Sequence, residues 1–144
     1  MQITSRFTVA VHALTCVEFF KGRETVTSSF IAASAGANPV VVRMVMSDLK
    51  AAGLIITSRG KCGIELARPS QSITLYDVYK AVGGADKDGL FHFHKNPCPA
   101  CPVGRTIHAA LDERLRAAQQ AMEDELRRST LADVMDGIAA AAKD

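Results

Sequence analysis

Residues 36 to 63 constrain this chain more than any other stretch. Gly36-Ala37-Asn38-Pro39 leads into an apolar-periodic run from Val40 to Ala52. Gly53, a short branched strand and the tip Ser58-Arg59-Gly60-Lys61-Cys62-Gly63 follow. The glycine ends one helix, the asparagine caps the next, and the proline supplies a preset φ at its first position. The product is a tight helix–turn–helix joint. The basic, glycine-rich tip that follows reads as a wing.

Periodicity predicts further helices around this joint. Ser5 to Phe20 forms a first helix with Phe7, Ala10, Val11, Leu14 and Val17 on one side, closed by Lys21-Gly22-Arg23. Ser28 or Ser29 caps a short second helix that ends at Ala35. The third, Pro39 to Ala52, places Val42, Val45, Met46 and Leu49 on a core face and Val40, Arg43, Met44 and Ser47 opposite. Leu54 to Thr57 and Ile64 to Ala67 are β-branched or alternating runs joined by the glycine tip, which is a hairpin pattern. Pro69 to Ser72 is a connector, and Thr74 to Val82 a fourth helix capped by Ser72 or Thr74.

The rest of the chain has a different character. Residues 83 to 102 hold three glycines, three prolines, two histidines and two cysteines with little periodicity, so they form a long loop. From Val103 to Arg128, the residues Val103, Ile107, Leu111, Leu115, Ala118, Met122 and Leu126 step by threes and fours along one helical face. Asp112–Arg116, Glu123–Arg127 and Asp124–Arg128 are favourable pairs on the other. At ~1.5 Å per residue this helix spans roughly 39 Å, more than a small winged domain needs. Its apolar stripe calls for a partner. A last helix, Thr130 to Ala142, is capped by Ser129 or Thr130.

Composition excludes several classes. The 144 residues are 48% hydrophobic and 22% charged, enough for one ordered domain plus an oligomerisation element. No apolar run reaches transmembrane length, the first residues lack the apolar core of a signal peptide, and the four cysteines do not form a secreted scaffold. A cytoplasmic protein with no membrane partner is expected. Net charge is only +2, but residues 1 to 68 hold eight Lys/Arg against four Asp/Glu, whereas residues 102 to 144 hold six against eight. The basic surplus lies with the winged segment, as phosphate contact requires.

These elements, in this order, point to double-stranded DNA. A major groove admits one helix, whose N-terminal residues reach base edges. Here those residues are Val40, Val41, Arg43 and Met44. Asn38 and Pro39 at the cap, with Ser28 and Ser29 at the start of the second helix, suit phosphates. In the wing, Ser58, Arg59 and Lys61 suit a minor groove or the backbone.

The same ordered set resembles the BadM/IscR-like (Rrf-two) family of bacterial winged-helix transcription regulators over nearly the whole chain. The matching residues are Ser28-Ser29-Phe30-Ile31-Ala32, Asn38-Pro39-Val40-Val41-Val42-Arg43 and Leu49-Lys50-Ala51-Ala52-Gly53-Leu54-Ile55. Ser58-Arg59-Gly60, Gly63-Ile64-Glu65-Leu66-Ala67-Arg68 and Ile73-Thr74-Leu75-Tyr76-Asp77-Val78-Tyr79-Lys80-Ala81-Val82 extend the match. The resemblance implies a homodimer joined through the long helix, with Ile107, Leu111, Leu115, Ala118, Met122 and Leu126 at the interface, binding palindromic operator DNA. Two-fold symmetry would set the half-sites ~34 Å, or a multiple of it, apart.

The segment His92-Phe93-His94-Lys95-Asn96-Pro97-Cys98-Pro99-Ala100-Cys101-Pro102 is the chemically distinctive one. Cys98 and Cys101 have the spacing that lets two thiols face one metal or close a disulfide. With His92 and His94 they make a donor set for tetrahedral zinc or part of an iron–sulfur cluster. The bland alternative is a proline-rich turn with surface histidines. Several relatives hold a cluster with three cysteines spaced more widely in this loop, whereas only Cys98 and Cys101 lie there in this chain. The resemblance is to a branch without the full cluster motif, in which thiol oxidation or another effector would act. Cys62, between Lys61 and Gly63, is either a reactive thiol or a small residue in a turn.

The expected fold class is mainly α with a small β-hairpin. Residues 1–82 form a winged helix-turn-helix DNA-binding domain, 83–102 a Cys/His-containing sensor-type loop, and 103–144 the dimerisation helix and a C-terminal helix. The function expected is a homodimeric, sequence-specific transcription regulator, a repressor, responsive to redox state or metal through Cys98 and Cys101. Two other classes stay open: a small thiol or metal enzyme using the same cysteines, and a winged-helix adaptor that binds protein. No βαβ pattern precedes the cysteine pair, which counts against the enzyme.

Overall fold

The computed structural model describes residues 5–57, 63–83 and 89–143. Its first three helices are α1 (Ser5–Phe19), α2 (Ser28–Ala35) and α3 (Pro39–Ala51). Gly36 adopts a left-handed φ of 61° and its N–H closes on Ala32 O, so α2 stops and the chain turns into the Asn38 cap of α3. The cap of α2 is Thr27, whose Oγ1 accepts the Phe30 N–H at 3.1 Å; Ser28 and Ser29, the expected caps, fall inside the first turn.

The hairpin is β1 (Ile55–Thr57) and β2 (Ile64–Leu66), antiparallel, with Ile55 opposite Leu66 and Thr57 opposite Ile64. Lys50 Nζ donates to Thr57 Oγ1 at 3.1 Å, tying the end of α3 to the wing. A single 3-10 turn, Ser70–Ser72, leads to α4 (Leu75–Ala81). There Thr74 and Asp77 satisfy each other's backbone N–H groups in a capping box. Asp77 also accepts from Arg68 at 2.9 Å.

The core lies where these elements meet. Leu14 and Val17 of α1, Ile31 of α2, Val42, Val45 and Leu49 of α3, then Leu54, Ile73 and Val78, are all buried. Each such side chain contributes about 1.5–3 kcal/mol by leaving water. Phe20 and Phe30 meet edge-on at 5.0 Å and seat α2 on the end of α1.

After α4 comes the long helix α5 (Pro102–Arg128), 27 residues with none buried. Its ion pairs are Arg116–Glu113, Arg127–Asp124 and Arg128–Glu125, all three apart rather than the four expected. Asp112 is engaged by His108 instead. Both spacings bring charges together on a helix surface. Arg127 lies 3.8 Å from the Tyr76 ring centroid, which fastens the end of α5 to α4. The last helix, α6 (Leu131–Ala141), is capped by a Thr130–Asp133 box and returns to the N-terminal core. Leu131 is buried in that core, and its N–H donates to Ile73 O at 2.8 Å. No single described helix is long and apolar enough to cross a membrane.

Candidate nucleic-acid interface

The outward surface of α3 starts from its cap. Asn38 Oδ1 accepts the Val40 N–H at 2.8 Å and Pro39 has no N–H, so local chemistry settles the first helical positions. Burial of Val42, Val45, Met46 and Leu49 then fixes the rotation of the helix. Val40, Arg43, Met44 and Ser47 are left facing out, with Val40 53% and Met44 51% exposed. Two large apolar side chains that contribute nothing to the core flank a cation with no ion pair among the described residues. That mixture suits base edges and thymine methyls. Val41, expected beside them, is half-buried and packs against the core.

Ser29 is exposed and Ser28 half-buried in the first turn of α2. The hairpin stands at the end of α3, but its tip residues Ser58, Arg59 and Lys61, with Cys62, lie outside the described residues. Arg6 pairs with Asp48, tying the start of α1 to the inner flank of α3.

The cysteine–histidine segment lies along α5. Leu90 N–H donates to Gln119 Oε1 at 2.8 Å, Phe93 meets His108 edge-on at 6.4 Å, and His94 lies over the same ring at 5.0 Å. Arg116 sits 5.5 Å from the Phe93 ring. At the far end, a Cβ on Gly104 would lie 2.4 Å from Cys98 O, so only a glycine lets the loop backbone approach the helix there. The loop is thus a strap that runs antiparallel to α5 from Gln119 down to Gly104.

Among the described residues no three of His, Cys, Asp and Glu converge as a metal site. The four-donor arrangement expected of His92, His94, Cys98 and Cys101 is not formed within one chain. His94 is taken up by His108, which is itself held by Asp112 at 3.0 Å. Cys98 and Cys101 are exposed free thiols. Cys101 occupies the cap position of α5, where the Gly104 and Val103 N–H groups hold its pKa below the usual cysteine value, against desolvation.

Sequence reasoning missed the Thr27 cap, the strap contacts through Gln119 and His108, and the role of Gly104. A glycine in the first turn of a long helix was the one available signal for the last.

Known proteins resemble this chain along nearly its whole length. The family Rrf2, described as an iron-dependent transcriptional regulator, matches residues 3–137. YwnA of Bacillus subtilis (strain 168), whose name describes an HTH-type transcriptional regulator, is 42% identical over 134 residues, covering 93% of this chain and 97% of its own. A crystallised protein described as DNA-binding is 40% identical with a TM-score of 0.71, covering 91% of this chain and 99% of its own. CymR (YrzC), the global cysteine regulator of B. subtilis, shares the fold at a TM-score of 0.70 and 18% identity, over 94% of this chain and 97% of its own.

The iron in the family description meets a poor donor set here. The loop offers two thiols, and Cys16 is buried in α1 with its S–H directed to Ser34 Oγ at 3.5 Å. These residues do not fit an iron centre within one chain. The relatives are regulators, which sets aside an enzyme built on Cys98 and Cys101. From residue 3 to residue 137, this chain belongs to the Rrf2 family of transcriptional regulators.

Proposed function

We propose that the protein is a homodimeric repressor that sets two α3 helices into the major groove of a palindromic operator, and that its thiol pair reports redox state to that end. The outward face of α3 carries the DNA reading: Val40, Arg43, Met44 and Ser47 stand clear of a helix whose other side is locked into the core. Asn38, Ser28 and Ser29 supply phosphate contacts beside it, and Arg59 and Lys61 serve the flanking backbone. The homodimer reading rests on α5, about 40 Å long and without a buried residue, whose Val103, 67% exposed, begins the stripe through Ile107, Leu111, Leu115, Ala118, Met122 and Leu126.

The redox reading rests on Cys101. Its thiolate attacks hydrogen peroxide, forming a sulfenic acid and releasing hydroxide; the Cys98 thiol then attacks the sulfenic sulfur, displaces water and closes a disulfide. Cys98 packs on Gly104, so such a bond would act where the strap meets α5.

Selection from a randomised duplex pool tests the assignment. A palindrome with half-sites ~34 Å or a multiple of it apart should be enriched, and affinity should fall steeply between 50 and 200 mM salt, on the order of 10³-fold or more if six or more phosphates are contacted. Arg43→Ala should relax base preference, whereas Arg59→Ala should weaken binding to every sequence. No enriched palindrome would sink the DNA assignment, whereas unchanged preference in Arg43→Ala would remove Arg43 from base reading. A peroxide response that survives Cys98→Ser/Cys101→Ser would remove the thiols from it.

A further inference from the structure

Hydrogen-bonded reading of base edges in a major groove uses Arg or Lys for guanine, Asn or Gln for adenine, and Asp or Glu for cytosine. The outward face of α3 is poor in these. The helix contains no Asn, Gln or Glu, its Asp48 is held by Arg6, and its Lys50 donates to Thr57 Oγ1 at 3.1 Å. Arg43, without an ion pair among the described residues, and the exposed Ser47 are what remains. One strong polar reader carries little sequence information by itself.

The rest of that face is apolar. Val40 is 53% and Met44 51% exposed, and Val42, Val45, Met46 and Leu49 already fill the side turned to the core. Neither Val40 nor Met44 has a hydrogen-bond donor or a strong acceptor, so neither distinguishes the O4 of thymine from the N4 amino group of cytosine. Each gains instead by covering apolar surface. On the major-groove edge of a base pair that surface is the 5-methyl group. Four residues advance ~6 Å along a helix and one base-pair step is ~3.4 Å, so the two side chains reach methyl groups about two steps apart.

We propose that Val40 and Met44 read 5-methyl groups of pyrimidines, recognising the methyl whichever base carries it. This rests on the DNA-binding reading of α3 and adds a consequence to it. Thymine fills both positions in unmodified DNA, and 5-methylcytosine binds there better than cytosine does.

The test is anisotropy titration of the full chain with labelled duplexes carrying the palindrome selected from the randomised pool. Thymines of the half-site are replaced one position at a time by deoxyuridine, which removes only the methyl, in both halves together. At two positions the affinity should fall by about fourfold per methyl, roughly fifteenfold for the pair of half-sites, the range of one buried methylene-sized group each. With cytosine at those positions, its 5-methylation should raise affinity by a similar factor. Val40→Ala should erase the thymine–deoxyuridine difference at one position and Met44→Ala at the other. Both variants should keep the melting transition, since neither side chain belongs to the core. The ratio should stay constant as salt lowers both affinities, because the phosphates are unchanged.

Equal affinity for thymine and deoxyuridine at every position overturns the proposal, as does 5-methylcytosine binding no better than cytosine. A ratio that persists in both alanine variants overturns it too, since the methyl would then act through the shape of the DNA. In each of these outcomes the unmodified duplex still binds, and the DNA-binding reading stands. Failure of the unmodified duplex to bind removes both.

Discussion

Replacing Gly104 with alanine sets two effects against each other. Inside a helix alanine is favoured over glycine by about 0.8–1 kcal/mol, less in the first turn where Gly104 sits. Against that, the new Cβ would lie 2.4 Å from the carbonyl oxygen of Cys98, 3.0 Å from its nitrogen and 3.2 Å from its carbonyl carbon. These are backbone atoms, so relief requires moving the strap off α5. Overpacking of that kind costs about 1–3 kcal/mol, and the net change should be a loss of roughly 1 kcal/mol. Gly137, in α6, has an ordinary helical φ, and a Cβ added to it would meet nothing within 4 Å. Gly137→Ala should therefore stabilise by about 0.5–1 kcal/mol. For a chain of this length 1 kcal/mol moves the melting temperature by about 2–4 °C, measured at one fixed protein concentration. The two variants should shift in opposite directions, and Gly104→Ala should change the alkylation rates of Cys98 and Cys101. If Gly104→Ala gains as much as Gly137→Ala and leaves both thiols unaltered, the strap does not approach the helix as described.

Three further outcomes can be checked on the same protein. Leu131→Ala empties a fully buried position that anchors α6 to the core, and denaturant melts should show a loss of about 2–5 kcal/mol. Asn38→Ala removes the side-chain acceptor of the Val40 N–H and should cost about 1 kcal/mol in the same melts. Cys101, with its pKa held down by the Gly104 and Val103 N–H groups, should react with iodoacetamide at a midpoint below that of the same thiol in urea, read by peptide mass mapping. Because the folded value is the lower one, the thiolate's stabilisation is full above the unfolded value and fades as pH falls through the folded one. Coincident midpoints would refute that placement of the thiol.

Much of the winged helix was legible because its signals are local. Gly36 requires a left-handed turn, Asn38 caps and Pro39 starts a helix, and Val42, Val45, Met46 and Leu49 recur at the period that buries one face. Each inference needs only neighbours within a few residues. The face opposite follows by subtraction, which is why Arg43 and Met44 could be placed outward from sequence alone. Val41 fell between the two faces, and only packing decided that it turns toward the core.

What tertiary structure alone decided joins residues far apart in the chain. Thr130 and Asp133 announce a helix start, but nothing in them says that Leu131 will close on Ile73 and bring α6 back to α1. The loop from Gly89 to Cys101 lacks periodicity, so its course along α5 depends on Gln119, His108 and the missing Cβ of Gly104. The four candidate donors also share a short segment without sharing a centre, because spacing sets what can meet and packing sets what does. Short-range backbone chemistry and hydrophobic period are written along the sequence; side-chain meeting points exist only once the elements have docked.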